Sequence, residues 1–269
     1  MKQNMFKVLS FALVAGISFS SCKKDSSIAT EEISQATLLK ISNNGFGTSN
    51  VQKIEEGYLV EGDIVLTEDF LNQTPGGNFL RIANNEQYRT TNLVNAGAGR
   101  TITLALDSKL AAKPGYTAAL AEVANRYNAL NLLLHFQVVS SGATLTYLDA
   151  HGQYLASGGF PTNGNPYGTV KVNSQSIGTG TSSTFVNFLA SILAHEAGHC
   201  IGFRHTDYSD RSYSCGGSYS NEGASSVGAI LIPGTPSGPD PNSWMLACVS
   251  RDQNRPFNAN DKTALNYLY

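Results

Sequence analysis

Apolar and polar positions along the chain change period several times, and each change marks an element. Residues 8–17 (VLSFALVAGI) form a ten-residue, largely apolar stretch, short of the ~20 residues that cross a bilayer. A polar stretch runs from Cys22 to residue 34. A short helix-like run follows at 35–46 (QATLLKISNNGF), then a strand-like run with partial alternation at 58–66 (YLVEGDIVL). Residues 71–100 are rich in Asn, Gln, Gly and Thr and predict a boundary. Beyond it, TITLALDSKL (101–110) alternates as a strand. Residues 116–131 place apolar side chains at 119, 120, 123, 127 and 130, a helical spacing. LLLHFQVVS (132–140), TLTYLDA (144–150) and TVKVN (169–173) predict three more strands. Ser141-Gly142 is read as the turn between the first two, and 158–168 (GGFPTNGNPYG) as a long loop. A long helix is predicted over 182–201 (SSTFVNFLASILAHEAGHCI), capped by Ser182 or Ser183. This order predicts an α+β or mixed α/β layering.

Composition adds compartment and excludes some partners. The 269 residues are 41% hydrophobic and 14% charged, which excludes a largely disordered chain. A formal net charge of −2 leaves no basic surface for nucleic acid. Lys2 and Lys7 flank the start of the apolar stretch, and Ser20 and Ser21 precede Cys22. This resembles a bacterial lipoprotein signal peptide (1–21), with Phe19 departing from the usual Leu. It implies a lipid anchor on Cys22, a tether over 22–34, and the cell envelope, at the outer membrane or cell surface, or release outside the cell. An ordinary secretory signal with Cys22 incidental is the alternative. Cleavage before Cys22 removes two Lys and no acid, leaving 16 basic against 20 acidic side chains, a charge of −4.

Export permits disulfides. Cys200, Cys215 and Cys248 remain, so three single pairings exist. Cys215–Cys248 is favoured because both lie in loop-rich sequence while Cys200 sits inside the predicted helix; three reduced thiols are the alternative.

The chemistry concentrates at the end of that helix. His195 and His199 stand at i and i+4, so both imidazoles project from one face. Glu196 lies between them, close enough to act on a water at a metal without being a ligand. Gly202 can end the helix in a left-handed conformation and swing His205 back as a third nitrogen. HEAGHCIGFRH thus reads HExxHxxGxxH, a spacing suited to one zinc ion per chain with an open position. Two satisfied core histidines and an inert third would be the structural explanation, and three histidines at these spacings argue against it. Glu222 is the one Glu after the motif; it lies outside any helical pattern, so His205 is preferred as third ligand. His135 and His151 have no partner at metal spacing. Nothing in the sequence argues for calcium, which stays open.

HEAGHCIGFRHTD, IPGTPSGPDPNSWM and the closing FNANDKTALNYLY together resemble the HEIGH-type bacterial metallopeptidases, a myxobacterial protease B-like family of the metzincin clan, from about residue 35 to the end. Ala197 replaces the Ile of the family's name. The resemblance implies an α+β, metzincin-like domain over 91–269: a twisted mixed sheet, a backing helix (116–131), an active-site helix, a C-terminal helix, and TVKVN as the edge strand to which a peptide substrate could add. Met245, 40 residues after His205, is assigned as the Met-turn. The Tyr that some metzincins carry two residues later is replaced by Ala247. Glu196 is implied as general base for hydrolysis of protein or peptide substrates by a monomeric enzyme. Residues 35–90 form a pro-segment-like unit, in which YLVEGDIVL resembles the astacin pro-segment motif. Asp63 would there occupy the metal and keep the enzyme latent; a turn or bulge at Gly62-Asp63 is the alternative. Asp207 is either a hydrogen-bond partner of a ligand histidine or a solvated loop charge. Two other functions stay open: a zinc-stabilised surface binding module or adhesin without catalysis, and hydrolysis of a non-peptide amide or ester.

Overall fold

The computed structural model describes residues 33–72, 87–222, 229–236 and 240–269. The signal-type leader, Cys22 and most of the tether lie outside the described residues, as does 73–86 within the expected boundary.

The chain from residue 33 opens with α1 (Gln35–Asn43), capped by the Ser34 hydroxyl, which accepts the Thr37 amide hydrogen at 3.1 Å. Next comes a meander of β1 (Gln52–Ile54), β2 (Gly57–Val60) and β3 (Ile64–Leu66), then α2 (Glu68–Asn72). The run predicted as one strand is therefore two. Glu61 (φ 55°) and Gly62 (φ 92°) both turn left-handed, which reverses the chain and leaves Asp63 in the turn. Ile41, Phe46, Tyr58, Val60, Ile64 and Phe70 close a small apolar cluster with Phe160.

A short β4 (Tyr88–Arg89) precedes β5 (Arg100–Leu106). The alternating run ends earlier than expected because Asp107 caps α3 (Ser108–Ala111), accepting the Leu110 N–H at 2.7 Å. Then follow α4 (Tyr116–Asn128), β6 (Leu134–Val138), β7 (Leu145–Asp149), β8 (Ala156–Gly159), β9 (Thr169–Val172) and α5 (Ser174–Ile177). The long α6 (Ser183–Ile201), α7 (Ser212–Cys215), β10 (Ile230–Leu231) and α8 (Ala259–Leu268) complete the described elements.

One eight-stranded mixed sheet runs β1-β2-β3-β8-β9-β7-β5-β6 among the described residues. β6 and β7 do not form a hairpin. Both run parallel to β5 on opposite sides, β6 reaching Leu104 and β7 starting there, so a short link steps across β5.

TVKV, expected at the edge, is interior: β9 pairs with β7 and with β8. The strand beyond it, Ala-Ser-Gly-Gly, has neither alternation nor β-branched residues, so no periodicity revealed it. β8 is antiparallel to β9 and parallel to β3, which pairs Ile64 with Gly158 and Val65 with Gly159. The N-terminal meander thus extends the sheet and covers the outer edge of β8.

The main core lies between the sheet, α4, α6 and α8, built from Ile102, Leu104, Leu120, Phe136, Val170, Leu189 and Leu265, among others. Buried polar ends find partners on α6. Tyr147 and Tyr127 donate their hydroxyls to the carbonyls of Leu193 and Ala194 at 3.0 and 2.9 Å, as buried hydroxyls require. These bonds hold α6 against the sheet just before its histidines.

Candidate metal centre

Ser182 accepts the Phe185 N–H at 3.2 Å and starts α6. Gly202, at φ 114°, ends it: its N–H reaches His199 O and the Phe203 N–H reaches Gly198 O, both at 2.9 Å. A Cβ at Gly202 would also lie 2.8 Å from the Asn92 carbonyl. The chain leaves this cap turned back toward the helix, which returns His205 to the same space as His195 and His199.

The ligand-capable atoms of His195, His199, His205 and Asp63 all lie within 4.8 Å of one another. The Nε2 atoms of His195 and His199 are 3.1 Å apart, and Asp63 Oδ2 is 3.1 Å from His205 Nε2 and 3.7 Å from His195 Nε2. Each ring is anchored through its other nitrogen: His195 Nδ1 to Trp244 O at 2.9 Å, His199 Nδ1 to Phe203 O at 2.8 Å, His205 Nδ1 to Glu222 Oε1 at 2.9 Å. A carbonyl only accepts, so for His195 and His199 the proton sits on Nδ1 and the Nε2 lone pairs face each other. Two lone pairs at that distance repel unless a cation lies between them. A tetrahedral ion with nitrogen bonds of about 2 Å spaces its ligands about 3.3 Å apart, so the donor set suits zinc. Asp63 supplies a fourth donor.

Charge and burial are opposed here. Burial pushes the His199 imidazole well below its usual range, with His195 and His205 adding to this. For His205, burial acts downward but the carboxylates of Asp63 and Glu222 override it and hold the ring well above the usual value. Glu196 is buried; burial first, then the Asp63 charge, raises its carboxyl well above the ordinary range. Its Oε2 has no hydrogen-bond partner among the described residues.

Below the cluster, Met245 and Trp244 pack under α6. A Cβ at Gly198 would meet Met245 Sδ at 2.6 Å and Trp244 Cζ2 at 3.1 Å, so any side chain there would have to displace Met245. Thr206 N–H donates to Met245 O at 2.9 Å, linking this turn to the third histidine's strand of chain.

Asp207 is neither a solvated charge nor a histidine partner among the described bonds. It is buried, accepting the Ala247 N–H at 2.9 Å and the Ser214 hydroxyl at 2.5 Å, so it ties the segment after His205 to the Met245 turn. Both of its carboxylate oxygens are taken up in these bonds. Cys215 and Cys248 are bonded across the same seam, and Cys200 is buried and free.

Two features escaped the sequence. Glu222 stands against His205, the position expected of Asp207. Arg204 is buried and donates from Nη2 to both Glu61 oxygens at 2.6 and 2.7 Å and from Nη1 to Gly45 O at 2.9 Å, clamping the β2–β3 turn onto the segment that carries His205. A lone Arg inside a histidine motif carries no signal of such a partner 143 positions away.

The family model described as "Dual-action HEIGH metallo-peptidase" matches residues 58–269. Among solved structures, that of myroilysin is similar at 18% identity, covering 66% of this chain and 96% of that one, with a TM-score of 0.41. High choriolytic enzyme 1, a hatching enzyme zinc-protease from the medaka fish Oryzias latipes, aligns at 14% identity over 65% of this chain and 92% of that one, with a TM-score of 0.33. A search of curated protein sequences finds no match.

Proposed function

Since the chain belongs to the dual-action HEIGH metallo-peptidase family, we propose that it is a zinc-dependent endopeptidase, made as a latent precursor and exported on a lipid anchor at Cys22. The observation that carries the catalytic part is the convergence of three anchored imidazoles on one point, with the buried, unpartnered Glu196 Oε2 beside it. His195, His199 and His205 would hold the ion. Zinc, when bound, supplies a Lewis acid that acidifies water and polarises a carbonyl. Glu196 then takes the proton from water at its carboxylate and hands it to the leaving amine. Trp244 O, Phe203 O and Glu222 keep the three rings in register.

Latency is supported by Asp63, whose carboxylate stands where substrate water would enter, and by β3, which takes the β8 edge that an extended peptide would otherwise join. Residues 35–90 act as the pro-segment and 91–269 as the catalytic domain in this reading. Casein hydrolysis with and without a chelator, beside Glu196→Ala, tests it. Activity should be chelator-sensitive and fall about 100- to 10,000-fold in the variant, with metal still bound. Full activity in Glu196→Ala would remove Glu196 from the mechanism.

A further inference from the structure

A cavity of about 240 Å³ opens beside His195 and Glu196. Leu155, Ile192, Leu246 and Val249 supply apolar wall, and Arg255 supplies a guanidinium. Arg255 is only 8% exposed. One hydrogen bond from its guanidinium is found among the described residues, NH1 to Cys248 O at 2.6 Å, and its buried Nε has no partner. The acids that influence it most, Asp207 and Asp261, are engaged elsewhere. Asp207 holds Ala247 N and Ser214; Asp261 holds Trp244 N, Ser243 and Asn258 N. The second arginine of the wall, Arg211, is paired with Glu222 at 3.1 Å and donates to the Glu61 carbonyl. Of the two carboxylates on the wall, Asp63 belongs to the histidine cluster and Glu196 lies beside His195 on α6.

A buried cation that uses so few of its five donors is costly unless a ligand completes it. A planar guanidinium in a wall that also carries apolar side chains matches a carboxylate on a short methylene stem. We infer that this cavity is the subsite for an acidic side chain of the substrate, next to the bond that is cut, with Arg255 receiving the carboxylate. The inference rests on the peptidase reading above and adds the substrate class.

Two measurements test it, the first on the full-length protein. The first omits catalysis. Trp244 is the one tryptophan of the chain and lines the cavity, so its fluorescence reports occupancy. In metal-free protein, where no carboxylate can sit on zinc, N-acetyl-glutamate amide is titrated against its neutral isostere, N-acetyl-glutamine amide. The acid should bind about tenfold tighter or more. Arg255→Gln should abolish that preference and Arg255→Lys should keep part of it. Equal binding of the two ligands by the wild type, which needs no variant to fold, overturns the inference. So does a preference that survives in Arg255→Gln. The second is cleavage of a random peptide mixture by the zinc-loaded protein after limited proteolysis has released its N-terminal segment. Sites should be enriched in Asp and Glu on one side of the cut bond, and cleavage without that enrichment overturns the subsite. A tighter hold on the acid with no peptide cleaved would keep the subsite and sink the peptidase reading instead.

Discussion

Glu222 shows how one side chain can matter from outside any motif. Its Oε1 lies 2.9 Å from His205 Nδ1, and burial, which alone would raise its carboxyl, is outweighed by His205 and Arg211, which hold it ionised below the usual value. An ionised partner aligns the imidazole and makes its other nitrogen a stronger donor. Glu222→Ala should therefore lower zinc affinity about 10- to 100-fold, measured by competition with a chromophoric chelator. Unchanged affinity would mean that packing alone orients His205. The residue sits in SYSNEGASS, where no period or spacing marks it; the sequence offered it only as a rival ligand to His205.

At the scale of elements, α6 and the β2–β3 turn meet at the metal position. α6 is buried almost all round in its C-terminal half, as a helix packed between a sheet and a turn must be. At Gly198 there is little room for a side chain between the helix and Met245 and Trp244. Gly198→Ala should cost about 1–3 kcal/mol through overpacking, read as a lower urea midpoint at unchanged m-value. A neutral result would show that the Met245 turn can yield. The β2–β3 turn brings Asp63 to the cluster because left-handed Glu61 and Gly62 reverse the chain and Arg204 and Arg211 grip it. Asp63→Ala should raise the initial rate of the intact, uncleaved chain by about 10- to 100-fold, the value of one charge-assisted contact. A precursor as inactive as before would assign latency to the β3 strand, not to Asp63.

Across the whole molecule, the segment after the third histidine is held to the Met245 turn by several independent ties. Asp207 bonds Ala247 N, Ser214 accepts the Cys248 N–H at 3.0 Å, and Cys215–Cys248 closes a stretch of 33 residues. Replacing both cysteines by serine should cost roughly 3–4 kcal/mol in the chain-entropy picture. Thermal unfolding with and without reductant checks this, and equal midpoints would show that the hydrogen bonds suffice. The N-terminal meander is likewise part of the larger architecture, since its strands continue the sheet through β8.

Local pattern was enough for the features that are local. The i, i+4 histidines, the helix-ending Gly202, the backing helix and most strands follow from periodicities and backbone limits that neighbouring residues set among themselves. The cysteine pairing favoured from loop-rich sequence also appears in the fold. Order within the sheet did not follow, because it depends on which strand packs on α6. β8 qualifies there by small side chains, and nothing in its own period announces it. The partners of the ligand histidines were hidden for the same reason. Trp244 O and Glu222 come from separate stretches of chain, and their proximity is a product of chain reversal and packing at long range; Asp63 was reached only through the resemblance to the astacin pro-segment. Spacing between neighbours thus brings His195 and His199 to one face of α6 and returns His205 after Gly202. What anchors the three rings, which strand covers the outer edge of β8, and which arginine lines the cavity beside them depend on packing between distant stretches of chain, which no local period records.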